Sequence, residues 1–124
     1  MAIHRRDEAV VHRLHGSAFH SYVSPSAGSA ELCAWRLEIA GGTVGVRHRV
    51  SREEVILVLA GRIRVHLDGV TEEVTAGDVF RVPVGVEFGV DNATAETAEA
   101  WVTTSVGMRG TLPDGSVISP PWVS

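Results

Sequence analysis

Short apolar runs, each closed by glycine or another turn former, recur along most of the chain, and the alternation within them has a period of two. Helical periodicity is weak throughout. Residues 9–14 predict a first strand, and the Ser-Pro-Ser-Ala-Gly-Ser stretch at 24–29 predicts a loop. Residues 31–39 alternate, with Cys33, Trp35, Leu37 and Ile39 on one face of a half-buried strand. After a Gly41-Gly42 turn, Val44, Val46, His48 and Val50 share the inward face of the next strand, and Arg47 and Arg49 take the other. Residues 55–60 are continuously apolar, as expected of a central strand, and Gly61 ends them. Residues 62–67 alternate again, with Ile63, Val65 and Leu67 inward, up to the hairpin signal Asp68-Gly69. Residues 79–82, 87–90 and 98–106 predict three further strands. Beyond residue 107, Leu112-Pro113-Asp114-Gly115 and Pro120-Pro121-Trp122 predict an irregular tail. The whole reads as an all-β sandwich or barrel of about eight short strands.

Composition narrows the function. The 124 residues suit one domain with a hydrophobic core of its own. A net charge of −4 gives no basic face for nucleic acid. All eleven basic residues are arginine, so covalent catalysis through a lysine Schiff base is excluded. One cysteine, Cys33, excludes an internal disulfide. No apolar run has the length of a membrane span, and residues 1–8 lack the apolar stretch of a secretory signal. The expected setting is the cytosol, with no membrane partner.

Fixed spacings point further. Gly42 is followed after five residues by His48, and Glu54 and Gly61 then stand at the distances of a first motif. Gly77, Pro83, Gly85 and Asn92 stand at those of a second. These eight positions resemble the two conserved motifs of the cupins, over roughly residues 30–106. The resemblance implies a double-stranded β-helix, the antiparallel jelly-roll barrel of the cupin type. The chain would then be a single cupin domain over 1–124, with an N-terminal extension at 1–29 and a C-terminal tail at 107–124. It also implies a homodimer, with the apolar tail as a segment that can cross to the partner.

The departure from the family lies at its chemistry. Metal-holding cupins typically use three histidines and a glutamate. Here Val50 and Phe88 occupy two of the histidine positions, leaving His48 and Glu54. Divalent ions usually take three or more protein ligands, so no tightly bound metal is expected, and any divalent ion would be labile and held by those two residues. Trp35, Val46, Val50, Ile56 and Phe88 would line an apolar pocket for a small-molecule ligand. His48 and Glu54, expected inward and in contact, are the candidate catalytic pair. Burial raises a carboxyl's pKa and suits it to general acid–base work such as isomerisation, cyclisation or dehydration. Two alternatives stand beside this reading: a weakly metal-dependent enzyme using the same pair, and a non-catalytic sensory or structural barrel in which the pair is a structural ion pair.

The remaining candidates have plainer readings. His4, His12, His15, His20 and His66 read as ordinary exposed or half-buried histidines, with His66 pointing outward. Arg36, Arg62, Arg64 and Arg81 read as a solvated face. Trp101 and Trp122 suit core packing or a subunit contact. Cys33, inward among apolar residues, is expected to be inert.

Overall fold

The computed structural model describes residues 2–124. Its twelve strands are β1 (Val10–Leu14), β2 (Ser17–Val23), β3 (Leu32–Ile39), β4 (Arg49–Val50), β5 (Glu54–Ala60), β6 (Arg62–Leu67), β7 (Val70–Thr75), β8 (Val79–Val82), β9 (Phe88–Asp91), β10 (Ala98–Ser105), β11 (Gly110–Thr111) and β12 (Val117–Ile118). A six-stranded sheet runs in the order β1-β2-β3-β10-β5-β8. Two three-stranded sheets, β7-β6-β9 and β12-β11-β4, complete the jelly roll, and every pairing is antiparallel.

The strand expected at 98–106 is β10, and its burial alternates. Ala98, Ala100, Val102 and Thr104 are buried, while Glu99, Trp101, Thr103 and Ser105 face outward and are only partly covered. β10 lies between β3 and β5, so its inward face meets Trp35 and Ile56 across the ladder. The core falls into two clusters. One, around Ile39, Val58, Ile63, Val65 and Ala98, fills one end of the barrel. The other gathers Cys33, Trp35, Val50, Ile56, Phe88, Val102, Met108 and Trp122.

Two strands carry no clear sequence signal. β7 is exposed along nearly all of its length, so it has no buried face to impose an alternation. β2 mixes polar residues on both faces, with Ser21 buried and His20 half-buried. It pairs with β3 and, through a tight turn, with β1, so the N-terminal stretch builds the edge of the main sheet. That turn is His15-Gly16, with φ of 47° and 79°; the Asp68-Gly69 hairpin repeats it at 51° and 79°. Positive φ at both central positions matches the twist of the strands a two-residue hairpin joins.

The tail is neither wholly irregular nor directed away from its own barrel. β11 pairs with β4 and β12, and the Trp122 ring stacks on Phe19 with centroids 3.7 Å apart and planes 9° apart. Ser21 Oγ donates to the Trp122 carbonyl at 2.9 Å, and the Ser26 hydroxyl donates to the Ser124 carbonyl at 2.8 Å. The tail expected to be able to cross to a partner packs on its own barrel in this chain. Burying Trp122 against Phe19 within the same chain already satisfies its apolar surface.

Candidate functional site

The barrel encloses a cavity of about 430 Å³. Trp35 and Leu37 reach it from β3, Glu54 and Ile56 from β5, and Ala100 and Val102 from β10. Val46, His48 and Val50 come from the segment leading into β4, and Phe88 from β9. The tail supplies Met108, Leu112, Ile118 and Trp122. The exposed rim includes Leu14, His15 and Val46.

All seven residues singled out as candidate site or pocket residues line this one cavity: Trp35, Val46, His48, Val50, Glu54, Ile56 and Phe88. Val44 does not. It is 77% exposed, against the inward position expected of it. The stretch from Val44 to His48 is not a continuous strand; its backbone pairs with β9 through isolated bridges at Val44–Asp91 and His48–Phe88. The alternation that places Val46, His48 and Val50 therefore breaks before Val44.

Glu54 opens β5, paired with Val82 on one side and Thr104 on the other. Its side chain points inward with Ile56 and Val58, and 5% of the residue is exposed. Thr104 does not bond the carboxyl; its hydroxyl donates to the Glu53 carbonyl at 2.8 Å. Among the described residues, no hydrogen bond or ion pair reaches the Glu54 carboxyl. Burial without a partner pushes its pKa up to about 7.

His48 is placed by backbone hydrogen bonds to Phe88, its N–H donating to the Phe88 carbonyl and its carbonyl accepting from the Phe88 N–H, each at 2.9 Å. The imidazole lies tilted against the Phe88 ring, with centroids 4.3 Å apart. Its Nδ1 lies 2.9 Å from the Val46 carbonyl. A carbonyl can only accept, so Nδ1 carries the proton and Nε2 keeps its lone pair. Burial lowers the His48 pKa, with the Val46 bond acting the other way, so the ring is neutral near pH 7.

The expected contact between His48 and Glu54 is not made. Both face the cavity, yet no hydrogen bond or ion pair joins them. The local bond to Val46 and the packing on Phe88 hold the imidazole where it is. The ligand set a divalent ion needs is also absent, since among the described residues no three His, Cys, Asp or Glu side chains converge. His48 and Glu54 alone fall short of the three or more protein ligands a resident divalent ion usually takes.

Other residues take places their sequence did not reveal. Arg36 is half-buried and bonds Glu99 at 2.7 Å as well as Glu38, so it is a paired cation and not part of a solvated face. The cross-strand neighbours on β10 bring these charges together. His66 does point outward, but both nitrogens are engaged, Nε2 with Asp91 at 2.7 Å and Nδ1 with the Thr71 hydroxyl at 2.8 Å. Cys33 is fully buried, and burial raises its thiol pKa, which keeps it protonated. Phe19, Phe80, Met108 and Trp122 line the cavity without having been singled out for it. For Phe19 and Trp122 no local pattern points there, because the stack joins the two ends of the sequence.

A barrel of paired antiparallel sheets around an apolar cavity, with the segment before β4 presenting His48 inward and β5 presenting Glu54, defines the cupin class. The chain belongs to the cupin domain family, whose model matches residues 35–104. Among solved structures, it is similar to the polyketide cyclase RemF of Streptomyces resistomycificus, with 20% identity and a TM-score of 0.76 over 85% of this chain and 79% of that one. It is similar to an RmlC-like cupin of Shewanella frigidimarina, with 24% identity and a TM-score of 0.73 over 85% and 90%. A cupin-superfamily sugar phosphate isomerase of Silicibacter pomeroyi aligns at 17% identity and a TM-score of 0.69 over 80% and 66%. At these identities the likeness is one of fold. No curated protein matches the sequence at a significant level. No helix among the described residues is long and apolar enough to cross a membrane.

Proposed function

We propose that this cupin binds a small organic molecule in its barrel and moves a proton on it through Glu54, without a resident metal. The observation that carries this reading is the lone Glu54 carboxyl, buried at the wall of an apolar cavity with a pKa near 7. A general acid–base works best when its pKa lies near the working pH, because both protonation states are then available. Glu54 as carboxylate takes a proton from a carbon next to a carbonyl. As the acid it returns a proton to the carbonyl oxygen or to a neighbouring carbon. Neutral His48 offers its Nε2 lone pair as an acceptor for a substrate hydroxyl. Isomerisation, cyclisation and dehydration all use such transfers, and two of the relatives above carry an isomerase or a cyclase by name.

The subunits pair as homodimers in this reading. Support comes from the outer face of the main sheet, where Val55, Leu59 and Val79 are well exposed beside Leu57, Trp101 and Tyr22. An exposed apolar group of this kind on a sheet marks an interaction surface.

The proton-transfer reading is tested with 2-tetralone, a bicyclic ketone whose α-hydrogens exchange when a base removes them. Protein is incubated with the ketone in D₂O, and α-deuteration is followed by NMR. The wild type should accelerate exchange over buffer, and Glu54→Gln should return it to the buffer rate. Equal rates for the two proteins would rule out Glu54 as the proton carrier.

A further inference from the structure

The cavity is surrounded by a chain with eleven arginines and no lysine, yet none of those arginines lines it. The register explains this. Between Val46 and Val50 the inward positions are Val46, His48 and Val50, and Arg47 and Arg49 take the outward ones. Arg49 donates to the Gly85 carbonyl at 2.6 Å, and Arg36 and Arg81 are committed to carboxylates outside the barrel, at 2.7 Å from Glu99 and Glu53. Proteins hold buried anions with Arg or Lys, or with free N–H groups at a helix N-terminus. The described residues contain no helix beyond three-residue 3-10 turns, and the inward-facing strands spend their N–H groups in the ladders. The ionisable side chains lining the cavity are His15 at the rim, His48 and Glu54.

Resting on the reading that this cavity is the ligand site, we infer that it takes an uncharged, largely apolar ring compound with one carbonyl or hydroxyl for Glu54, and rejects phosphates and carboxylates of the same size. An anion entering it would be stripped of water with no cation to meet it, beside a carboxyl that is itself partly ionised near neutral pH. A sugar phosphate falls in the rejected class. The rest of the wall includes the rings of Phe19, Trp35, Phe80 and Phe88. Those aromatic rings match a flat ring system, and the volume lies within the range of small-molecule pockets.

The test uses two matched bicyclic probes, neutral 2-naphthol and anionic 2-naphthoate, at pH 7 on the whole protein. Binding is read by calorimetry and by quenching of Trp35 and Trp122, which line the cavity. The expected result is 2-naphthol tighter than 2-naphthoate by at least about tenfold, roughly 1.4 kcal/mol. Val46→Arg places a cation at the exposed rim and should raise 2-naphthoate affinity relative to 2-naphthol by about tenfold. Naphthoate binding as tightly as naphthol overturns the inference, and so does the absence of binding by both. Binding is measured without turnover, so its outcome is separate from the tetralone experiment. Naphthol preference without deuterium exchange would refute the catalytic reading alone, and exchange with naphthoate preferred would refute the ligand class alone.

Discussion

Replacing Glu54 by glutamine should make the protein more stable, and increasingly so as the pH rises. The carboxyl sits near 7 in the folded chain, against an ordinary value of 4.5 that serves for the unfolded one. Between those values the folded state holds a proton that the unfolded state has released. Stability from this group is therefore greatest below pH 4.5, declines as the pH climbs toward 7, and levels off above it. At about 1.4 kcal/mol for each factor of ten in the protonation constant, the full loss is about 3 kcal/mol. Glu54 is almost wholly buried, so solvent screening does little to reduce that figure. Glutamine has the same shape and no charge to desolvate, so Glu54→Gln should match the wild type near pH 4.5 and exceed it by up to about 3 kcal/mol at pH 8. For a chain of this size that is a difference in Tm on the order of 10 °C. Urea or thermal melts of both proteins from pH 4.5 to 8.5 measure it, and the other carboxylates cancel in the comparison. A difference that stays constant across this range would show that Glu54 titrates normally. The account of Glu54 as buried without a partner would then be wrong.

Three further outcomes are expected. The purified protein, dialysed against chelator, should retain well under one transition metal ion per chain, whereas Val50→His with Phe88→His adds two imidazoles to a cavity that already holds His48 and Glu54 and should retain one, both read by elemental analysis; stoichiometric metal in the wild type would contradict the first expectation. Light scattering should give twice the chain mass at micromolar concentration, and Leu59→Glu, on the exposed outer face of β5, should give the monomer; a wild-type monomer would remove the proposed pairing. Trp122→Ala should cost about 3 kcal/mol in urea denaturation, from lost burial and the lost stack on Phe19, and a cost below about 1 kcal/mol would mean that the tail is not held on the barrel.

Much of the fold was legible because half-buried strands write their orientation into the sequence. β3 and β6 bury one face against the core, and a period of two follows, whereas β5 is continuously apolar after Glu54 and its exposed Val55 and Leu59 could not be told from its buried residues. β7 has no such face, and its alternation could not be read. The motif spacing placed His48, Val50, Glu54 and Phe88 around one cavity because a fixed count along paired strands fixes the side on which each residue emerges. The spacing did not reveal what each polar group would bond. Asn92 shows the distinction. It stands in the second motif, yet it is fully buried outside the cavity, where its amide donates to the carbonyls of Ile39 at 3.0 Å and Glu96 at 2.7 Å and secures a turn. His48 likewise bonds the Val46 carbonyl two residues away in place of Glu54. The tail's part in the cavity was illegible because it depends on contacts about a hundred residues apart, such as Ser21 with Trp122.

That tail divides the cavity wall into two kinds of sequence. The inward residues of β3, β5 and β10 are bound into ladders with strands on both sides, so replacing one disturbs neighbours in two directions. Leu112, Ile118 and Trp122 line the same space from short strands and turns attached at the margin of the barrel. Mutation at those positions can reshape the pocket while the barrel's pairing stays intact. Changes in the last few residues can therefore alter what the cavity accommodates while the Glu54 carboxyl stays fixed on β5.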